Sequence, residues 1–268
     1  MHIEFEPPKE LRDTITCFWY NDTDFGNEQT NFEVIPDGFV EVIFYFGEEL
    51  QILQNGNLQS LPSPFLVGLL NHPAHFYTRK RLQILAIRCF PWTVFDLLNL
   101  DSNKNGVDTF EHPIAKLQPS LQNFINKNQI QKAIDLIKDY FLNLEMSTDS
   151  LIYKAGIAMR KANGSIPVSQ IADSAHTTIR TLERKFKQSS GYTVKDVSGL
   201  IRFEKARNIL WSQPDSNLAE LAIELGYTDQ AHLNREFKKY SGTTPGAFAR
   251  KAKIEKIPNR EFVAFIQS

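Results

Sequence analysis

The 268-residue chain has few cysteines and no long apolar stretch. Only Cys17 and Cys89 are present, both beside apolar residues, so we expect reduced, buried thiols rather than a disulfide framework. The longest apolar runs, residues 42–46 and 65–70, are far shorter than the ~18 residues that a membrane-spanning helix needs. The N-terminus is acidic and Pro-rich, where a signal peptide would be basic and then apolar. These features predict a cytoplasmic protein that does not insert into a membrane.

The overall net charge of −1 conceals an uneven distribution of charge along the chain. Residues 1–146 carry 11 basic and 19 acidic side chains, a net charge of −8, whereas residues 147–253 carry 17 basic and 10 acidic ones, a net charge of +7. The length fits two domains. A basic segment joined to an acidic one is typical of a module that binds nucleic acid or a membrane surface, linked to a second module.

Short runs of β-branched and aromatic residues, separated by turn residues, occupy the first ninety positions and predict eight strands. The predicted strands are residues 15–20, 32–35, 39–46, 50–53, 58–61, 65–69, 74–78 and 82–90. Asn55-Gly56 predicts a two-residue hairpin, because both turn positions require positive φ. From residue 91 the apolar spacing becomes helical, most clearly over residues 129–144. That apolar stripe predicts packing either on the sheet or against a second chain.

Two segments about fifty residues apart share residue types at fixed offsets. The pattern Leu-x-Arg-x-Phe-Lys-x-x-Ser-Gly-x-Thr begins at Leu182 and again at Leu233. Each copy follows a short apolar segment, residues 166–175 or 218–225, and a turn, which is the order of a helix-turn-helix unit. Candidate N-caps precede each second helix, Thr177 or Thr178 in the first copy and Thr228 or Asp229 in the second.

Helical geometry divides each copy into two faces, because successive residues are ~100° apart. The Leu and Phe of the pattern lie on one face, and the Arg and Lys lie on the other. Arg suits guanine O6 and N7, and Gln or Asn suits adenine N6 and N7. Between the copies, residues 193–211 predict one amphipathic helix of roughly 28 Å, close to the ~34 Å between successive major grooves. We therefore expect one chain to read two adjacent major-groove segments of double-stranded DNA.

Residues 150–252 resemble the DNA-binding domain of AraC/XylS-type bacterial transcription regulators. Residues 226–248, GYTDQAHLNREFKKYSGTTPGAF, are similar to the signature of that family. The resemblance implies seven helices, with the second helix of each unit in the major groove. By motif position it places base contacts at Arg180, Glu183, Arg184, Gln230, Ala231, Asn234 and Arg235. His232 falls nearer the DNA backbone, and Lys187 and Lys238 lie on the same outer faces.

Three positions depart from the usual pattern of that family. His176 stands where the first turn usually has Gly, which is tolerable because His is among the residues enriched at positive φ. Glu183 would repel phosphate, but its carboxylate can accept a hydrogen bond from cytosine N4. Ala231 replaces a usual Ser and removes one polar contact. We therefore expect the second unit to dock on DNA more firmly than the first.

Residues 36–47 and 65–70 resemble a cupin-like N-terminal domain that occurs in some of these regulators. The resemblance implies a sensor or interaction module, and it identifies no ligand. Five aromatic side chains are candidates to line a pocket, although aromatic residues on strands more often belong to the core. They are Trp19, Phe44, Phe46, Phe76 and Trp92.

An enzymatic first half is the alternative from another class. His72, His75 and His112, with the two cysteines, are residue types that bind metal. His72 and His75 form an i, i+3 pair, however, and on a strand their rings would point to opposite faces. The alternation of residues 83–88 places the Cys89 thiol at a partly buried strand end, where it is not activated. We interpret four acidic residues as turn and surface carboxylates rather than as an acid–base pair. These are Asp22, Asp24, Asp37 and Glu41.

We therefore predict an α+β protein of two domains. Residues 1–146 form a cupin-like antiparallel β-sandwich or barrel with C-terminal helices, residues 147–253 form an all-α double helix-turn-helix domain, and residues 254–268 form a tail with a short strand at 261–268. No catalysis and no cofactor are predicted. Double-stranded DNA is the expected partner; a small-molecule effector, RNA polymerase and a second copy of the chain are the further partners considered. A cupin-type metalloenzyme and a pure oligomerisation module remain as alternatives for the first half.

Overall fold

The computed structural model describes residues 1–100, 106–144 and 150–255. The chain divides into two compact units. The first comprises Met1–Glu33, Phe39–Gly68 and Ala74–Thr148, and the second comprises Val34–Gly38, Leu69–Pro73 and Asp149–Ser268. The expected boundary near residue 147 and the expected strand at 261–268 lie outside the described residues, so both stay predictions.

The first unit is built on two antiparallel sheets. Its strands are β1 His2–Phe5, β2 Ile15–Asp24, β3 Thr30–Val34, β4 Val40–Gly47, β5 Gln51–Gln54, β6 Asn57–Ser60, β7 Phe65–Val67, β8 Ala74–Thr78, β9 Arg81–Cys89 and β10 Val107–Asp108. One sheet has the order β1-β2-β9-β4-β7-β10, and the other has the order β3-β8-β5-β6. All eight predicted strands are present. The short strands β1 and β10 were not predicted.

The core of the first unit lies on its long central strands. β9 is buried along most of its length, and it pairs with β2 on one side and β4 on the other. The five aromatic side chains considered for a pocket are each at most 2% exposed, and Phe76 stacks on Phe32 at 5.5 Å between ring centres. This burial favours the core interpretation. The hairpin prediction is confirmed, since Asn55 and Gly56 have φ of 51° and 78° and join β5 to β6.

A buried ion pair crosses the six-stranded sheet. Glu41 on β4 lies directly opposite Arg88 on β9, and its Oε1 accepts hydrogen bonds from Arg88 at 2.9 Å and from Trp19 Nε1 at 3.2 Å. The guanidinium also lies 4.2 Å from the centre of the Phe39 ring. The interpretation of Glu41 as a surface carboxylate is therefore wrong, because Arg88 supplies the charge that permits its burial. Asp37, interpreted in the same way, is also buried.

Helices complete the first unit. They are α1 Val94–Leu98, α2 Gln118–Asn126 and α3 Ile130–Leu142, with 3₁₀ turns at Lys9–Leu11 and Pro113–Leu117. The apolar stripe of α3 is buried within the unit, against α2 and the turn Lys9–Leu11. The ammonium of Lys138 lies 5.6 Å from the centre of the Phe18 ring on β2. Of the two alternatives for this stripe, the structure supports packing over the sheet.

The second unit is helical. Its described residues form α4 Ser150–Lys161, α5 Val168–Ser174, α6 Ile179–Ser190, α7 Val194–Ser212, α8 Leu218–Glu224, α9 Gln230–Ser241 and α10 Pro245–Glu255. This is the seven-helix arrangement that the resemblance implies. α7 is the predicted amphipathic helix, and it begins at a capping box in which Thr193 and Asp196 exchange side-chain and backbone hydrogen bonds. In the described ranges, no helix has the length and apolar character needed to cross a membrane.

Candidate nucleic-acid interface

The two helix-turn-helix units have matching second helices. α6 and α9 are each twelve residues long. At the start, Thr178 and Asp229 accept a hydrogen bond from the backbone N–H three residues further on, at 3.2 Å and 2.6 Å. At the end, Gly191 and Gly242 adopt positive φ of 74° and 71°. Each N-cap is one of the residues predicted for it, and each cap satisfies backbone groups that a helix end leaves unpaired.

The turns between the helices differ. His176 in the first unit has a φ of 52°, which confirms that it occupies the left-handed position, and Gly226 in the second has a φ of 76°. The second turn is one residue longer, and it includes Tyr227, which is 3% exposed. Burial raises the pKa of the Tyr227 hydroxyl. The second turn therefore has a packed aromatic ring next to its glycine.

Each second helix has one buried face and one exposed face. The buried face carries Leu182 and Phe186 in α6, and Leu233 and Phe237 in α9, all with no exposed surface. Seven of the ten candidate contact residues are exposed: Arg180, Arg184, Lys187, Gln230, Ala231, Arg235 and Lys238. Glu183, His232 and Asn234 are half-buried at the border of the two faces. The described residues provide no hydrogen-bond or ion-pair partner for the guanidinium groups of Arg180, Arg184 and Arg235, so they are available to a ligand.

Glu183 and Asn234 occupy equivalent positions, 51 residues apart, and have different surroundings. Glu183 Oε2 accepts a hydrogen bond of 3.2 Å from the backbone N–H of Val194, the first residue of α7. The residue equivalent to Val194 is Pro245, which has no N–H to donate. Asn234 Oδ1 is buried and has no partner in the described structure. α6 is thus tied to the start of α7, whereas α9 lacks the corresponding bond to the start of α10.

The ring of His232 packs beside the second turn. It lies perpendicular to the Tyr227 ring, with 5.2 Å between ring centres. Its Nδ1 is 3.3 Å from Thr228 Oγ1, and its Nε2 is 3.9 Å from a carboxylate oxygen of Glu236. These contacts hold the imidazole near the N-terminus of α9. A contact of His232 with the DNA backbone stays a prediction.

Two residues of this region are not singled out by the sequence pattern. Arg202 of α7 and Glu236 of α9 form an ion pair of 3.1 Å, and both side chains are 15% exposed. The repeat itself contains a signal for this pair. Glu236 is equivalent to Lys185 of the first copy, so the sign of the charge is reversed at one of the variable positions of the pattern.

The residue types considered for a metal site have other surroundings. His112 Nδ1 accepts a hydrogen bond from Ile114 N at 3.3 Å, and burial lowers the pKa of its ring. Cys89 is fully buried, which raises the pKa of its thiol. In residues 1–100, 106–144 and 150–255, no group of three or more His, Cys, Asp or Glu side chains lies close enough to hold a metal ion.

The capped helices, the left-handed turns and the exposed arginines define the second unit as a tandem helix-turn-helix domain. Residues 171–251 match the family model of a helix-turn-helix domain, and this domain is of the AraC type. Residues 3–105 match DUF6597, a domain of unknown function.

Named relatives match part of the chain. The transcriptional activator RhaS of Escherichia fergusonii is 33% identical over 75 residues, which are 28% of this chain and 27% of that protein. The xylose operon regulatory protein of Haemophilus influenzae is 27% identical over 158 residues, 56% of this chain and 40% of that protein. The chain thus spans less than half the length of these two relatives. Among solved structures, ToxT of Vibrio cholerae with bound unsaturated fatty acid has 13% identity and a TM-score of 0.48, covering 87% of this chain and 94% of that one.

Proposed function

We propose that the chain is a sequence-specific DNA-binding transcription regulator. The observation that carries this proposal is that the helical unit of the chain contains two copies of a capped helix, each with exposed arginine on its outer face. Arginine presents a planar fork of donors that matches guanine O6 and N7. The relatives described above are named as transcription regulators, and they support the same reading.

The proposed mode of binding places α6 and α9 in two adjacent segments of the major groove. α7, which has nineteen residues and joins the two units, is roughly 28 Å long at ~1.5 Å per residue. Arg180, Arg184 and Arg235 would contact base edges together with Gln230 and Asn234. Lys187 and Lys238 would contact phosphates, and His232 would lie near the backbone. The proposed cytosine contact of Glu183 would compete with its hydrogen bond to Val194 N.

The first unit is proposed to control this binding as a sensor of a small effector or as a surface for protein contacts. Its net negative charge would keep it away from the DNA backbone by repulsion. The proposed domains are residues 1–146 and 147–253, in a cytoplasmic protein without catalytic activity. RNA polymerase and a second copy of the chain are proposed partners of the bound regulator.

Selection of bound duplexes from a random pool, followed by binding measurements on the selected sequence, tests the proposal. We expect Arg235→Ala to relax the base preference at one position by about 1–3 kcal/mol. Lys238→Ala is the matched control on the same helix. It should weaken binding to all sequences alike and reduce the slope of log K against log salt by about one unit. If Arg235→Ala leaves the preference for selected over scrambled duplexes unchanged, the proposed reading by α9 is wrong.

A further inference from the structure

Arg202 touches three separate parts of the helix-turn-helix region. Its Nη2 donates to Glu236 Oε2 on α9 at 3.1 Å, and its Nη1 donates to the carbonyl of Gly164, ahead of the first unit, at 2.7 Å. Its guanidinium carbon lies 5.4 Å from the centre of the Tyr227 ring in the second turn. The planar fork of arginine makes these bonds in fixed directions. One side chain of α7 therefore links the segment that precedes the first helix-turn-helix unit with the turn and the second helix of the second helix-turn-helix unit.

The backbone around Arg202 is packed too closely for side chains at two glycines, and a third glycine is tightly packed. A Cβ on Gly164 would collide with the carbonyl oxygen of Ser198 on α7, and a Cβ on Gly226 would lie 2.7 Å from Ser165 Cβ. A Cβ on Gly199 of α7 would lie 3.1 Å from the hydroxyl of Tyr240 on α9. The segment 164–165 is thus held between α7 and the second turn, and α9 lies directly against α7.

Both DNA-facing helices are tied to α7 through a carboxylate. Glu183 joins α6 to the first residue of α7, and Glu236 joins α9 to Arg202, the ninth residue. Eight residues of helix separate the two ties, which is a rise of roughly 12 Å. A helix is stiff over this length, so the two ties lie at a fixed separation and act together with the apolar packing on the position of each second helix along α7.

We propose that Arg202 is a positioning residue that sets the spacing between the two DNA segments read by α6 and α9. This inference rests on the proposed function, and it concerns the register of the two helices rather than their contact with bases. Arg202 is half-buried and reaches DNA only through the elements that it holds. Its loss would allow α9 to shift relative to α6 while each helix keeps its own exposed side chains.

The test compares the full-length wild type with the double variant Arg202→Met/Glu236→Met. Replacing both members of an ion pair by apolar residues of similar size avoids leaving one charge without its partner, and it is often neutral for stability. Binding is measured on the selected duplex and on duplexes with one base pair inserted or removed between the two segments. Lys205→Met is the matched control, because Lys205 is exposed on the same helix and has no hydrogen bond or ion pair within the described residues.

We expect the wild type and Lys205→Met to lose about tenfold or more in affinity when the spacing changes, because one helix then loses several contacts. The double variant should distinguish the three spacings by less than about threefold. It should keep the base preference of each segment. Glu236→Gln retains an acceptor for Arg202. Its discrimination between the three spacings should therefore lie between that of the wild type and that of the double variant.

The outcomes separate this inference from the proposed function. If the double variant binds all duplexes more weakly but keeps the wild-type spacing preference, Arg202 has only a structural role and the inference is overturned. If the wild type itself selects no sequence, the proposed function fails before the spacing is tested. Circular dichroism and thermal unfolding of each variant show whether it is folded under the binding conditions.

Discussion

The two helix-turn-helix units share one architecture but keep it with different polar contacts. In the first, the carboxylate of Glu183 accepts from the N–H of Val194 and ties α6 to α7. In the second, proline removes that donor, and the tie to α7 comes from Glu236 and Arg202 instead. The shared apolar residues determine the fold of each unit. The polar residues that differ determine how firmly each second helix is held. They therefore determine how much stability each helix-turn-helix unit loses when a residue is substituted.

The turns provide the strongest contrast between the units. Gly226→Ala would place a Cβ at positive φ and within 2.7 Å of Ser165 Cβ. We expect it to destabilise the second unit by about 2–4 kcal/mol, the sum of backbone strain and overpacking. His176→Gly, the matched change in the first turn, should instead gain up to about 1 kcal/mol because it relieves left-handed strain. Denaturant unfolding of the full chain measures both.

Hydrogen exchange locates these effects. After Gly226→Ala, the amides of α8 and α9 should lose protection, while those of α5 and α6 change less. Equal loss of protection in both units would mean that they unfold as one cooperative block. In that case the units would not differ in tolerance, even though their contacts differ.

Elements with a local pattern were predictable from the sequence, and pairs of distant charges were not. The repeat predicted the start of α6 and of α9 to within one residue, and Asn55-Gly56 located the β5–β6 hairpin, because each signal lies within a few residues. The burial of Glu41 depends on Arg88, 47 residues away on the neighbouring strand. The pair of Arg202 and Glu236 likewise joins residues 34 apart. Only the packing of strands or helices brings such partners together, so the residue types alone suggested a surface position for Glu41.

The tie at the start of α7 is a second point of comparison. Glu183→Ala removes a carboxylate from the N-terminus of a nineteen-residue helix, where its negative charge and its hydrogen bond are both favourable. We expect a loss of about 1 kcal/mol in the free energy of unfolding. Arg184→Ala is the control for stability, because it removes a side chain of α6 that is exposed and has no hydrogen-bond or ion-pair partner in the described residues. If Glu183→Ala is neutral for stability but alters base preference, Glu183 acts mainly as a DNA contact.

The equivalent change in the second unit should have the smallest effect. Asn234 Oδ1 is buried and without a partner in the described residues, and Pro245 offers no N–H to it. An unsatisfied buried oxygen costs stability, so Asn234→Leu, which has the same branched arrangement of heavy side-chain atoms, should be neutral or slightly stabilising for the free protein. The same variant should weaken binding to the selected duplex if its amide contacts adenine. A clear loss of stability on thermal unfolding would instead mean that Asn234 supports α9 as Glu183 supports α6, and the two units would then be alike at this position.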